Sequence, residues 1–401
     1  MRVLRAIVLG VGLALGVAAQ DAPPPASFDG VWDTTYGALT LTTTDGTVEG
    51  SYGNRGTLHG TVADGRLTYS YRDPESRGEG WFELESGGDV LRGEWRPEGR
   101  ERWREWDGTR VAVEAPSPLA GVYQTHFGRL RLSVTGTKVR GRYAQDGALG
   151  TLEGTLEGDA LSFRWTEAGS SGDGEFSFAA DRGGFTGRYR VGDDGAWKPW
   201  SGTRVGARQG VVWLTVLEAA WERRLDEPEY SWGSMLRAYL KRHPHVKVRH
   251  RRVYDRADLE RALFEVALLP ERTAVLVACH GERGTLWAGS DRVPAKDVAS
   301  ALSDAPNAFL LHFSSCEVLV DGVAKQLREA AGRPLSVSGY AVAVDWAGSA
   351  VLEFLYLDLV LGRGMTPQRA ARVVRKELRC AGDEPVDGSP LGALKFRVAP
   401  E

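Results

Sequence analysis

The N-terminal half of the chain contains an internal duplication, and this feature limits the folds that are open to it. Gly-Val-Trp at 30–32 recurs as Gly-Val-Tyr at 121–123, an offset of 91 residues. After a three-residue insertion the correspondence continues at an offset of 94 residues, and each copy ends in Gly-Thr-Arg-Val, at 108–111 and at 202–205. Two copies of one pattern in tandem predict two folded units of the same kind, each with its own core.

Each copy consists of short stretches that are typical of β-strands. The segment at 67–71 alternates apolar and polar residues with the period of two that a half-buried strand requires. Asp-Gly turn signals, as at 45–46 and 64–65, separate such stretches. About six to eight strands fit into a unit of this length, so we predict a small antiparallel barrel or sandwich over 27–111 and again over 118–206.

Eight of the thirteen tryptophans lie in these two units. Aromatic residues recur at matched positions of both copies, which favours packed interiors over an aromatic face that binds glycans, peptides or lipid. The Gly-x-Trp opening followed by short strands resembles lipocalin-type barrels, and this resemblance implies a small ligand cavity. A cell-surface or envelope ligand is the partner that we expect for these β units.

The first 19 residues have the features of a secretory signal. Arg2 and Arg5 precede an apolar stretch from Ile7 to Ala19, which is too short to cross a bilayer comfortably and ends in small residues suited to cleavage. We therefore expect an exported protein, secreted or periplasmic, with no stable membrane span after cleavage. An uncleaved N-terminal anchor is the alternative.

Charge and cysteine content exclude several classes of protein. The formal net charge of −3 gives no basic excess to neutralise phosphates, so we expect no nucleic-acid partner. Three cysteines, Cys279, Cys316 and Cys380, are too few for a disulfide scaffold or a four-cysteine zinc site. Cys380 is expected at the end of a surface-facing helix. Because no phosphate-binding loop or metal-binding triad stands out in the sequence, we expect neither a cofactor nor a metal.

From about residue 210 the pattern changes to that of an α/β fold. A continuous apolar run at 211–217 is typical of a buried parallel strand, and further strands are predicted to begin near 246, 273, 308 and 335. Segments with helical periodicity and capping residues lie between them. This alternation predicts a doubly wound, mostly parallel sheet with helices on both faces over 210–399, and thus a multidomain β plus α/β protein.

Two successive strands of this region end in reactive side chains. One leads into Cys279-His280-Gly281 and the next into Ser-Ser-Cys316-Glu317. Carboxyl ends of neighbouring parallel strands meet at one edge of a sheet, so His280 and Cys316 are expected side by side. An imidazole can activate a thiol as a nucleophile. The N–H groups of Gly281 and of Cys316, the latter expected where the chain turns into a helix, are candidates for an oxyanion hole.

These residues and their surroundings resemble the caspase-like cysteine peptidases, and most of all the CHAT-domain branch. The similarity covers roughly 211–398 and rests on Ala-Cys-His-Gly at 278–281, Ser-Ser-Cys-Glu at 314–317 and Val-Ser-Gly-Tyr-Ala-Val-Ala-Val-Asp at 337–345, followed by the expected helices. It implies a dyad that cleaves peptide bonds, with His280 as the base and Cys316 as the nucleophile. Caspases have Gln-Ala-Cys at the nucleophile, so their preference for aspartate is not carried over.

Further residues have candidate roles near this site. Asp345 and Glu317 could bind a basic substrate side chain, although Asp345 also suits a helix N-cap and Glu317 an acid at a helix start. Cys279 is expected as a buried strand residue, with a disulfide to Cys316 as the alternative. His312 is expected to pack within its strand.

The leading hypothesis from the sequence is an exported cysteine endopeptidase. It would act on protein or peptide substrates, and its β units would bind substrate or a surface. The alternative from another class is a non-catalytic interaction or scaffold protein with an inactive peptidase-like domain. A third interpretation is a lipocalin-type carrier of a small molecule with an appended domain.

Overall fold

The computed structural model describes residues 27–400 apart from positions 45, 53–55, 75, 86–87, 112–116, 146, 209, 222–225, 227–229 and 379–393. The signal segment expected over 1–19 and the helix end expected at Cys380 lie outside the described residues. None of the helices in the described part is long and apolar enough to cross a membrane.

The first repeat folds into a closed antiparallel barrel. Its strands are β1 (Gly30–Thr34), β2 (Gly37–Thr44), β3 (Thr47–Tyr52), β4 (Gly56–Ala63), β5 (Arg66–Arg72), β6 (Arg77–Leu84), β7 (Val90–Pro97), β8 (Arg104–Glu105) and β9 (Gly108–Val111). Consecutive strands pair from β1 to β7. β9 closes the ring because it pairs with β7 on one side and with β1 on the other. The two-residue β8 pairs only with β7, so the ring itself has eight strands.

The second repeat has the same strand order. Its strands are β10 (Gly121–Thr125), β11 (Gly128–Thr135), β12 (Lys138–Gln145), β13 (Ala148–Glu157), β14 (Ala160–Glu167), β15 (Ser170–Phe178), β16 (Gly184–Tyr189), β17 (Lys198–Pro199) and β18 (Gly202–Val205). The ring closes through β16 and β18, as in the first copy. Of the two forms that the sequence leaves open for each copy, a barrel or a sandwich, the structure shows the barrel.

Aromatic side chains fill the interiors of both barrels. Trp106 and Trp200 occupy equivalent buried positions and meet neighbouring rings mostly edge to face, at centroid distances of 5.0–6.0 Å. The rings around Trp106 are Tyr36, Tyr52, Tyr69 and Phe82, and those around Trp200 are Phe127, Tyr143, Phe163, Phe176 and Tyr189. In the described part of the barrels this packing takes the place of the ligand cavity that the lipocalin resemblance implies.

The C-terminal region forms a six-stranded sheet in the order β20-β19-β21-β25-β26-β27. Its strands are β19 (Val212–Ala219), β20 (Val246–Val253), β21 (Thr273–Ala278), β25 (Ala308–Ser314), β26 (Ser336–Tyr340) and β27 (Phe396–Ala399). A small separate sheet consists of β22 (His280–Glu282), β23 (Thr285–Ala288) and β24 (Asp291–Pro294). The large sheet is parallel except for β27, which joins its edge antiparallel. The sequence predicts the parallel strands but not β27.

Helices cover both faces of this sheet, as predicted. They are α1 (Trp232–Leu240), α2 (Arg256–Ala267), α3 (Ala295–Ala301), α4 (Val323–Ala331), α5 (Trp346–Leu357) and α6 (Pro367–Glu377), with a π-helical turn over Asp358–Gly362 after α5. Alternate residues of β21 face opposite sides of the sheet and enter two separate apolar cores. Val275 and Val277 pack in the core that contains α2, α3 and α4. Ala274 and Leu276 pack in the core that contains α1, α5 and α6.

Both barrels contact the α/β unit near the amino ends of its parallel strands. Asp33 of the first barrel forms an ion pair with Arg328 in the last turn of α4, just before β26. Arg131 of the second barrel donates hydrogen bonds to the carbonyl oxygens of Ala267 and Leu269, which lie at and after the end of α2, just before β21. The carboxyl ends of these strands lie at the opposite side of the sheet.

Replacing Arg131 by alanine tests how firmly the second barrel is attached. The side chain is 8 % exposed, and its loss leaves two carbonyl groups at the end of α2 without their donor. We expect Arg131→Ala to lower the free energy of unfolding by about 1–3 kcal/mol, measured by thermal or urea denaturation. Arg140→Ala, on the exposed face of the same barrel, is the matched control and should stay within about 0.5 kcal/mol. Equal stability of the two variants would contradict this contact.

Candidate functional site

The strands that lead to His280 and Cys316 are neighbours. β21 and β25 pair in parallel, and Ala278 lies opposite Ser314. His280 follows Ala278 by two residues, and Cys316 follows Ser314 by two residues. Because parallel strands in this register end at the same edge, both side chains leave the sheet together, as the strand pattern predicts.

His280 and Cys316 line one pocket of about 40 Å³ at that edge. Asp345, which the sequence proposes for substrate binding, lines it as well. The remaining residues around the pocket are Trp221, Trp232, Cys279, Ser314, Ser315, Val344, Trp346 and Ser349. His280 and Asp345 are exposed and Cys316 is half-buried, so solvent reaches the groups that would react.

The sulfur of Cys316 is held against the segment that follows β26. The N–H of Val344 donates to Sγ at 3.4 Å, and Sγ lies 3.7 Å from the carbonyl oxygen of the same residue. The two contacts fix the position of the sulfur at the pocket.

Gly281 is required by the close approach of two segments. A Cβ at this position would lie 2.3 Å from the carbonyl oxygen of Cys316 and 3.1 Å from the Cβ of Ser315. Glycine thus lets the strand that carries His280 lie directly against the turn that carries Cys316. The structure gives Gly281 this packing role, and its N–H as an oxyanion donor stays a proposal.

The expectation that Cys316 lies at the start of a helix is wrong. Turns connect β25 to α4, and the helix begins only at Val323. The same turns remove the helix-start role expected for Glu317, whose φ of 51° is left-handed. The backbone of Glu317 instead donates to Val342 and accepts from Gly284, at 3.0 and 2.9 Å, and so ties the turn to two neighbouring segments. Glu317 is not among the described residues that line the pocket.

Asp345 is the helix N-cap that the sequence suggests, and its role in substrate binding stays a prediction. Its Oδ1 accepts a hydrogen bond from the N–H of Gly348 at 2.8 Å, which caps the N-terminus of α5. The side chain is also exposed at the rim of the pocket. One carboxylate can serve both purposes because it has two oxygens.

Cys279 is a buried residue beside the pocket and does not form a disulfide. Its Sγ lies 3.7 Å from Oγ of Ser315, and both Cys279 and Cys316 are free thiols. Burial raises the pKa of the Cys279 thiol to about 11, although contacts with Ser315 and the N–H of Trp287 oppose this shift. At neutral pH Cys279 is therefore a neutral thiol and a poor nucleophile.

His312 lies inside β25, as expected, but it has a buried acidic neighbour that the sequence does not reveal. Its Nδ1 is 2.8 Å from Oγ of Ser338, and its Nε2 is 3.3 Å from Oε1 of Glu353. His312 and Glu353 are both fully buried. These contacts join β25 and β26 to α5 beneath the pocket.

Sequence reasoning missed the aromatic wall of the pocket. Trp346 meets Trp221 at 5.4 Å and Trp232 at 4.5 Å between ring centroids. Trp221 in turn packs edge to face against the imidazole of His280 at 5.2 Å. Their positions in the sequence could have revealed this wall. Each of these tryptophans follows the end of a strand or begins a helix on the carboxyl side of the sheet.

The described residues contain no group of three His, Cys, Asp or Glu side chains that could hold a metal ion.

No protein-family model and no curated protein matches the chain. Among solved structures, caspase-1 from Spodoptera frugiperda is similar over 47 % of this chain and 87 % of its own length, with 11 % sequence identity and a TM-score of 0.33. A similarity at this level carries no argument about the activity of the chain.

Proposed function

We propose that the protein is an exported cysteine endopeptidase of the caspase-like, CHAT-domain type. The observation that carries this proposal is that His280 and Cys316 line one solvent-reached pocket at the carboxyl ends of two adjacent parallel strands. The hydrogen bond from the N–H of Val344 to the sulfur adds support, because it holds Sγ in place at the pocket.

The reaction needs these groups in two steps. His280 takes the proton of the Cys316 thiol, and the thiolate attacks the peptide carbonyl carbon to give a tetrahedral oxyanion. The oxyanion collapses to a thioester as the carbon–nitrogen bond breaks and His280 gives its proton to the leaving amine. Water, deprotonated by His280, then hydrolyses the thioester and regenerates the thiol. The N–H groups of Gly281 and Cys316 are the proposed donors to the oxyanion.

The pocket favours a basic substrate side chain. Asp345 places a carboxylate at its rim, and indole faces attract cations. Among the described residues that line the pocket, His280 alone can carry a positive charge. Asp345 rather than Glu317 is the carboxylate proposed to bind such a side chain, because Glu317 is not among the described residues that line the pocket.

The β barrels are proposed to bind the substrate or an envelope ligand in a secreted or periplasmic setting. Trp103 and Trp197 are equivalent in the two repeats, and each stacks on the equivalent arginine, Arg96 or Arg190, at 4.5 and 5.1 Å. Trp197 is 40 % exposed. A partly exposed indole held flat by a guanidinium offers a face to a sugar ring or a planar group. The barrels contact the amino ends of the strands, so binding there leaves the pocket accessible.

A cleavage assay with a peptide library tests the proposed activity. The mature protein, with reductant, is expected to cleave peptides, whereas Cys316→Ala and His280→Ala should lower kcat by about 1,000-fold or more. Cys380→Ala, a cysteine to which no role is assigned, is the matched control and should retain activity. Unchanged cleavage by Cys316→Ala, or no cleavage by the wild type, would favour the non-catalytic alternative.

Asp345→Asn tests the preference for a basic side chain. Asparagine also caps helices well, so the fold should be kept while the charge is lost. We expect kcat/KM for substrates with arginine before the cleaved bond to fall by about tenfold or more, and kcat/KM for citrulline, its neutral analogue, to change little. Asp255→Asn, at the N-cap of α2, is the matched control and should alter neither. An arginine preference that survives in Asp345→Asn would rule out this role.

Replacing both indoles, the half-buried Trp103 and the exposed Trp197, tests the role of the barrels. If they bind an envelope ligand, Trp103→Ala combined with Trp197→Ala should lower the sedimentation of the mature protein with isolated envelope material by about tenfold. Val62→Ala, another exposed apolar residue of the first barrel, is the control. Binding that is equal in all three proteins would remove this function from the two tryptophans.

A further inference from the structure

Two tryptophans of the pocket are each held by a buried carboxylate. The Nε1 of Trp221 donates to Glu218 at 3.0 Å, and the Nε1 of Trp232 donates to Glu353 at 2.8 Å. Glu218 and Glu353 are both fully buried. Each also has a histidine nearby, since Nε2 of His250 lies 2.6 Å from Glu218 and Nε2 of His312 lies 3.3 Å from Glu353.

Glu218 makes the denser set of contacts. It is the next-to-last residue of β19. Its carboxylate accepts hydrogen bonds from the N–H groups of Trp232 and Gly233 at 2.6 and 3.2 Å, in addition to those from the indole of Trp221 and the hydroxyl of Ser231 at 3.3 Å. Burial alone raises the pKa of Glu218, but the hydrogen bonds from His250, Trp232, Gly233 and Trp221 outweigh it and lower the pKa. The carboxylate is therefore charged at neutral pH, and its donors leave it little freedom to turn.

A buried charge loses its hydration, and a protein with an apolar residue of similar volume at such a position is often as stable. The charged carboxylate of Glu218 instead fixes the orientation of the groups that donate hydrogen bonds to it. The indole of Trp221 is such a donor, and its other side packs against the imidazole of His280 at 5.2 Å. A chain of two contacts thus joins Glu218 to the proposed base.

We propose that Glu218 is a positioning residue for the Cys316–His280 pair, acting through the indole of Trp221. This inference rests on the peptidase activity proposed above. Glu218 does not touch the reacting atoms; it holds Trp221, and Trp221 restrains the imidazole of His280 at the pocket. Proton transfer depends steeply on such orientation, since a misplacement of about 1 Å can cost about 100-fold in rate.

The test compares two buried glutamates that differ in what they hold. In Glu218→Gln the side chain keeps its size but loses the charge that binds its donors, so kcat is expected to fall about tenfold while KM changes by less than about twofold. Glu271→Gln is the matched control. Glu271 is 4 % exposed and pairs with Arg208 and Arg249, just before the amino end of β21 and away from the pocket. This variant should keep kcat within about twofold even if its melting temperature falls.

A second variant separates positioning from general stability. Trp221→Phe keeps an aromatic ring but has no N–H for Glu218, so it should lower kcat by a similar factor. If Glu218 acts through Trp221, the two losses do not add, and Glu218→Gln in the Trp221→Phe background should change kcat by less than about twofold. All rates are measured at a temperature where circular dichroism shows each protein folded.

The outcomes separate this inference from the proposed function. Losses in kcat that do not add, with KM preserved, support the positioning role. The role is overturned if Glu218→Gln keeps the wild-type kcat, if the two losses add, or if KM alone changes. Should Glu218→Gln fail to fold, a wild-type kcat in Trp221→Phe overturns the role by itself. A wild type without Cys316-dependent cleavage overturns the peptidase proposal and this inference together.

Discussion

The parallel pairing of β21 with β25 determines what the site can be. Its register places Ala278 opposite Ser314, so the chain leaves both strands at one edge of a sheet whose two faces are covered by helices. The buried backbone groups of these strands must form hydrogen bonds. A shift of either strand by one residue would turn each of its side chains toward the opposite core, so the register is fixed. The closeness of His280 and Cys316 is thus fixed by main-chain hydrogen bonds, while side chains only adjust their orientation.

Local patterns predict much of this fold, and long-range contacts account for what they miss. The strand at 308–314 agrees with a mostly apolar run because a strand buried on both faces has few polar positions. The turn at Cys316 was mistaken for a helix start, because the left-handed φ of Glu317 leaves no trace in composition. The link from Glu218 to Trp221 and His280 joins segments that only tertiary packing brings together, so no periodicity reveals it.

The two ends of the α/β sheet have different roles. At the amino ends of the strands, both barrels are attached through residues such as Arg131 and Asp33. At the carboxyl ends lie the pocket and its buried carboxylates. Contacts that stabilise the molecule are thereby separated from groups that would react, which lets substitutions at one end leave the other end largely undisturbed.

Closure of the barrels also limits how they can recognise a partner. An extended peptide can add to a sheet only where a strand edge offers unpaired N–H and carbonyl groups. In each described barrel the strands of the ring pair with neighbours on both sides, including β1 with β9 and β10 with β18. Recognition by these units would then depend on side chains outside the ring rather than on the backbone. Each copy can therefore acquire its own specificity by surface substitution while both keep one architecture.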